Sequence, residues 1–151
     1  MIAVDTNILV YAHRPEAPFH EAASRVVTGL AEGTRAWAIP FHCLIEFAAV
    51  VTHSRLWRAP SSPSDVEDQV NAWLESPTLR VLGEDVSAWP VFARCLQQAR
   101  TTGGAIHDTR IAACCQYHAV QELWTADRDF GRYPWLVTRN PLISGRRAER
   151  G

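Results

Sequence analysis

The stretch Ile2-Ala3-Val4-Asp5-Thr6-Asn7-Ile8-Leu9 (IAVDTNIL) decides the fold. It opens apolar, meets an acid at Asp5 and turns apolar again at Ile8. A short apolar run closed by a polar residue reads as a strand, Ile2 to Asp5, buried on both faces as parallel strands are. Working outward from it, Pro18 to Glu32 reads as a helix closed by Gly33, and Ala36 to Ile39 as a second strand. A strongly apolar helix follows from Phe41 to about His53. Ala59-Pro60-Ser61-Ser62-Pro63 is the clearest turn signal in the chain, and Ser64 with Glu67 is expected to form a capping box for a helix running to about Glu75. Thr78 to Leu82 reads as a third strand, then a helix from about Ser87 to Arg100 with Pro90 tolerated in its first turn. Gly103-Gly104 breaks that helix. Ile106 to His118 is the next, Gln121 to Thr125 a fourth strand and Leu136 to Thr138 a short fifth. Strands alternating with helices predict an α/β chain of three layers, with a central, mostly parallel sheet of four to five strands.

Composition fits one ordinary domain. The 151 residues are enough to bury a core without staples, and 47% hydrophobic with 21% charged residues excludes disordered and fibrous classes. No apolar run reaches the roughly 18 residues of a membrane span. The start lacks a basic segment ahead of its apolar stretch and carries Asp5 inside it, so no signal peptide is expected and the cytoplasm is the expected location. Cys43, Cys95, Cys114 and Cys115 show no metal-ligand spacing and are expected to be buried free thiols. The six histidines are scattered, which argues against zinc. All 15 basic residues are arginine, and the net charge of −1 does not by itself announce a nucleic-acid partner. Of the six tryptophans, Trp37 and Trp124 are expected in the core, while Trp57 beside the Pro-rich turn offers a partner surface.

Four acids stand apart from the solvated majority. Asp5 ends the first strand, Glu46 interrupts the apolar run Cys43 to Val51, Asp108 opens the helix before the fourth strand, and Asp127 lies just past that strand. Each alone has a structural explanation, as a cap, a first-turn acid or a turn residue. Topology brings all four to one place. Asp5 and Asp127 follow strand ends, Asp108 begins a returning helix, and Glu46 lies roughly 7–8 Å along its helix, within reach of the same edge. Open α/β sheets bind ligands at this carboxyl edge. Carboxylates so close together need a cation, and a hard divalent ion, Mg²⁺ or Mn²⁺, suits oxygen ligands. Such a site suits phosphodiester hydrolysis. Arg110 and Arg128, beside Asp108 and Asp127, are candidates for gripping substrate phosphates, with a surface ion pair as the alternative for each.

In order and spacing, Asp5-Thr6-Asn7-Ile8-Leu9-Val10-Tyr11-Ala12, Ile45-Glu46-Phe47, His107-Asp108-Thr109-Arg110-Ile111-Ala112-Ala113 and Thr125-Ala126-Asp127-Arg128-Asp129-Phe130 resemble the PIN-domain family, and Asn140-Pro141-Leu142 resembles the end of its bacterial members. The likeness runs over roughly residues 2 to 142. It implies a ribonuclease domain over residues 1–142 followed by a charged tail, 143–151. Within the family the chain looks like the VapC-type toxins of bacterial toxin–antitoxin pairs. That implies a Mg²⁺-dependent endoribonuclease acting on RNA, homodimeric and silenced by a small antitoxin that covers its active site. The family's acids carry over onto Asp5, Glu46, Asp108 and Asp127. Asp129 matches a further family acid and ranks below Asp127, being two residues deeper in the loop. In roles, Asp5 and Asp108 are expected as the most direct metal ligands. Glu46 would bind the metal or orient water, and Asp127 would complete a second metal position or hold waters. Asn7 and Thr125 would support the cluster by hydrogen bonds.

Two other readings compete. An aspartate-nucleophile phosphatase also starts with an acid at a strand end, but it needs a second acid where Asn7 stands and a lysine that this chain lacks. A PIN-like module that binds RNA or protein without cutting would usually have lost one of the acids.

Overall fold

β1 (Ile2–Val4) is buried along its whole length because it is the middle strand of the sheet. The computed structural model describes residues 1–143. Its five strands run in the order β3-β2-β1-β4-β5, with β2 at Trp37–Pro40, β3 at Leu79–Leu82, β4 at Glu122–Trp124 and β5 at Val137–Arg139. Every neighbouring pair is parallel, so all strands end at the same edge. The expected sheet is present, with each strand boundary within one residue of the sequence reading. Burial decides which strands alternate. β1 and β2 are apolar throughout, whereas the edge strands β3 and β5 turn most of their residues to solvent.

The connections set the layers. α1 (Thr6–His13) and α2 (His20–Glu32) lead from β1 to β2, and α3 (Phe41–Val51) and α4 (Pro63–Leu74) from β2 to β3. α5 (Trp89–Ala99) and α6 (Ile106–Tyr117) then carry the chain back across the sheet to β4, on the other side of β1. Parallel crossovers are right-handed, so reversing direction moves α5 and α6 to the opposite face from the first four helices. α1 packs on α2 and α3, and α5 packs on α6. The reversal lies between β1 and β4, the position at which open α/β sheets bind their ligands. Trp37, Ile39, Phe47, Ile8, Leu9, Ile111 and Leu123 fill the space between sheet and helices. All four cysteines are buried and free, as expected. Among the described residues no helix is long and apolar enough to cross a membrane.

Several details differ from the sequence reading. The capping box of α4 uses Ser62 and Asp65, not Ser64 and Glu67: Ser62 Oγ accepts from the Asp65 N–H at 3.1 Å, and the Ser62 N–H donates to Asp65 Oδ2 at 2.8 Å. Pro63 decides between them. Its fixed φ and missing N–H suit the first helical position, which puts the cap at Ser62. The helix expected from Ser87 begins as a 3-10 turn at Val86–Ala88, capped by Asp85, before α5 proper. Trp124 is only half-buried, because β5 beside it is an exposed edge, and Arg139 lies over its ring at 5.5 Å. Trp57 is turned inward rather than offered to a partner. Its indole N–H donates to the Val50 carbonyl at 2.8 Å and Arg14 covers the ring at 4.6 Å. The charged tail with Arg146, Arg147 and Arg150 lies outside the described residues.

The two candidate caps make opposite forecasts. Ser62→Ala should lower stability by about 1 kcal/mol in urea denaturation, whereas Ser64→Ala should stay within about 0.5 kcal/mol of the parent. The reverse ranking would restore the original assignment.

Candidate active site

Asp5 follows directly on β1 and serves two purposes at once. As the cap of α1 it accepts the Thr6 N–H on Oδ1 at 2.8 Å. Its Oδ2 accepts the Thr125 hydroxyl at 2.7 Å and faces Asn7 Nδ2 at 3.4 Å. Thr125, the residue after β4, is the hub of the arrangement. Its Oγ1 also accepts from Asn7 Nδ2 at 3.3 Å and from the Asp127 N–H at 3.0 Å. Asn7 Oδ1 accepts the Ala126 N–H at 3.2 Å, and Asp127 Oδ1 accepts the Asp129 N–H at 2.8 Å. The loops after the two central strands are thus stitched together through Asn7 and Thr125.

α6 supplies Asp108 from its first turn. The next residue, Thr109, is fully buried and shares hydrogen bonds with Thr101 at 2.6 Å and the Tyr133 hydroxyl at 2.8 Å. Tyr133 ends the 3-10 turn Arg128–Arg132, so the start of α6 is pinned to the loop that carries Asp127 and Asp129. α3 supplies Glu46, whose Oε1 accepts from the Thr6 hydroxyl at 2.9 Å.

Asp5, Glu46, Asp108 and Asp127 line one cleft of about 280 Å³, with Thr6, Asn7, Val10, Tyr11 and Val50 completing its walls. Carboxylate oxygens of Asp108, Asp127 and Asp129 lie within 4.8 Å of one another. Asp129 therefore stands with the tightest group, although its place in the loop ranked it lower. The candidate phosphate ligands part ways. Arg110 is ion-paired with Glu84 and donates to His42 Nδ1 at 3.2 Å, the ion-pair alternative of the sequence reading. Arg128 is exposed. Sequence reasoning passed over Thr6, although it adjoins Asp5. It also passed over His42, although it stands one helical turn before Glu46.

The electrostatics are those of crowded acids. Burial pushes the Asp5 carboxyl up to about 6, against the hydrogen bonds from Thr125 and Thr6, while the charges of Glu46 and Asp108 push further in the same direction. Asp108 is also raised, first by burial and then by Asp127, Glu46 and Asp129. Among the described residues no arginine forms an ion pair with Asp5, Asp108, Asp127 or Asp129.

Comparison with known proteins gives the family and the fold. The family model described as PIN domain matches residues 2–136. The chain is 32% identical to Ribonuclease VapC43 of Mycobacterium tuberculosis over 142 residues, which is 94% of this chain and 96% of that protein. It is 27% identical to Ribonuclease VapC48 of the same organism over 138 residues, 91% of this chain and 95% of that one. Its fold is similar to that of VapBC2 from Rickettsia felis, bound to a DNA fragment from their promoter. The TM-score is 0.66 at 21% identity, covering 92% of this chain and 98% of the other.

The raised Asp5 carboxyl has a measurable consequence. Between its ordinary 3.8 and about 6, the folded chain holds a proton that the unfolded chain has released, so stability falls as pH rises through that window. In protein free of divalent ions, Asp5→Asn should flatten this part of the denaturation midpoint's pH profile. A variant profile parallel to the parent's would contradict the assignment.

Proposed function

This chain belongs to the PIN-domain family, and we propose that it is a metal-dependent endoribonuclease that hydrolyses RNA phosphodiester bonds, the toxin of a toxin–antitoxin pair. The observation that carries the reading is the convergence of Asp108, Asp127 and Asp129 oxygens within 4.8 Å, beside Asp5 and Glu46, with no paired arginine among the described residues. Hard carboxylate donors crowded to this degree fit Mg²⁺ or Mn²⁺. Asp108, Asp127 and Asp129 would hold the ion, with Asp5 and Glu46 lining the same cleft. A divalent ion supplies Lewis-acid polarisation of the phosphodiester and neutralises the carboxylates around it.

The chain's own residues divide the remaining work. Asp5 has its oxygens committed to Thr6, Thr125 and Asn7, so it holds the start of α1 against the segment after β4 and adds negative charge without needing to move. Glu46 is tied through Oε1 alone and leaves Oε2 to orient a water and take its proton. Val10, Tyr11 and Val50 form an apolar wall that limits solvent in the cleft. Arg128, exposed next to Asp127, is the arginine left to meet a substrate phosphate. Residues 1–142 form the ribonuclease domain, which acts in the cytoplasm. The toxin assignment draws on the similarity to VapC43 and VapC48, both ribonucleases by name. Its partner would be a small antitoxin covering this cleft. A homodimer fits the exposed Phe41 and Ile45 on α3.

The test is cleavage of a structured RNA by purified protein with Mg²⁺ or Mn²⁺ and with EDTA. Cutting should require the metal. Asp5→Asn should abolish it with an unchanged far-UV spectrum, and Glu46→Gln should slow it by about 100-fold or more. Full activity in Asp5→Asn would remove the site assignment, and a protein that binds several RNAs but cuts none would favour the non-cutting module.

A further inference from the structure

His42 lies on α3 one turn before Glu46, with its side chain only 12% exposed. Its two ring nitrogens have different neighbours. Nδ1 lies 3.2 Å from Arg110 Nη1. A guanidinium has donors only and keeps its proton, so Nδ1 must accept. The hydrogen of the neutral ring then sits on Nε2. Nε2 is fully buried and makes no hydrogen bond within the standard distance. The acceptor it faces is Glu46 Oε1, 3.9 Å away. A buried N–H left unpaired is costly, and closing this gap by about 1 Å would satisfy it.

The ring is held on two further sides. His107 stacks on it with centroids 5.2 Å apart and planes 16° from parallel. Arg110 is itself anchored by its ion pair with Glu84. A polar chain therefore runs Glu84, Arg110, His42, Glu46, from the end of β3 across α6 to the cleft. Glu46 Oε1 is met from one side by the Thr6 hydroxyl and from the other by His42.

We propose that His42 is a positioning residue for Glu46: its Nε2–H, oriented by the Glu84–Arg110 pair, steers Oε1 so that Oε2 is presented to the substrate. On this assignment Arg110 sets a histidine tautomer and does not grip phosphate. The assignment rests on the ribonuclease reading of the cleft, but part of its test does not.

Nitrogen-15 NMR of the imidazole in the intact protein, without RNA, should show His42 with hydrogen on Nε2 and a bare Nδ1. Hydrogen on Nδ1 would overturn the proposal whatever the enzyme does. In the RNA-cleavage assay, His42→Phe keeps a ring to stack on His107 and removes the donor. It should lower kcat about tenfold with KM within about twofold of the parent. His42→Gln places an amide N–H near the same point and should recover kcat to within about threefold of the parent. Unchanged kcat in His42→Phe, or a glutamine variant no better than phenylalanine at equal thermal midpoint, would also overturn it. If His42→Phe does not fold, the tautomer and the glutamine variant decide. A parent protein that cuts no RNA would count against the ribonuclease reading, while the tautomer measurement would still judge the His42–Glu46 contact.

Discussion

At the end of the central strand pair, one hydroxyl group joins two loops that would otherwise diverge. Thr125 Oγ1 donates its hydrogen to Asp5 and accepts from Asn7 and from the Asp127 N–H. A hydroxyl has one hydrogen and two lone pairs, so the atom is saturated. Because β1 and β4 are neighbours, this contact fixes the start of α1 against the loop after β4. The buried Thr101, Thr109 and Tyr133 hydroxyls then fix the start of α6 against the far end of that loop. Four segments distant in sequence are thereby brought into register by side-chain hydrogen bonds, whereas the sheet itself fixes only the strand ends.

The charge arrangement runs against stability. Burial disfavours the ionised form of Asp5 and Asp108, and the neighbouring acids add repulsion. A chain selected for stability alone would replace one of them or set an arginine among them. Arg110 is engaged with Glu84, and the charge of Arg132 counters the rise of Asp108 less than burial and the neighbouring acids add to it. On the proposed function these acids would be met by a cation that is not part of the polypeptide, and the free energy of that association would offset the repulsion.

The first three strands could be read in the sequence because each is a short, mainly apolar run followed by helical periodicity, and parallel topology carries Asp5, Glu46, Asp108 and Asp127 to one edge. What escaped reading depends on contacts between segments. Ser62 and Ser64 both begin plausible capping boxes, and the choice turned on how Pro63 sets the backbone. Asp129 ranked low by position, yet the 3-10 turn begun by Asp127 folds it back beside Asp108. Trp124 sits on a strand, which predicts burial, but its only neighbour on the outer side is the exposed strand β5. His42 and Arg110 are far apart in sequence, and no spacing rule pairs them.

The place of β1 in the sheet also governs how the protein comes into being on the ribosome. The first strand made is the middle one, and one of its two edges stays unpaired until β4, at Glu122–Trp124, has been synthesised. Long-range pairings of this kind form late, because the intervening chain must be ordered first. The acids follow the same schedule, since the cleft lacks Asp127 and Asp129 until most of the polypeptide has emerged. A nascent or truncated chain that stops short of β4 therefore carries Asp5 and Glu46 without Asp108's partners Asp127 and Asp129.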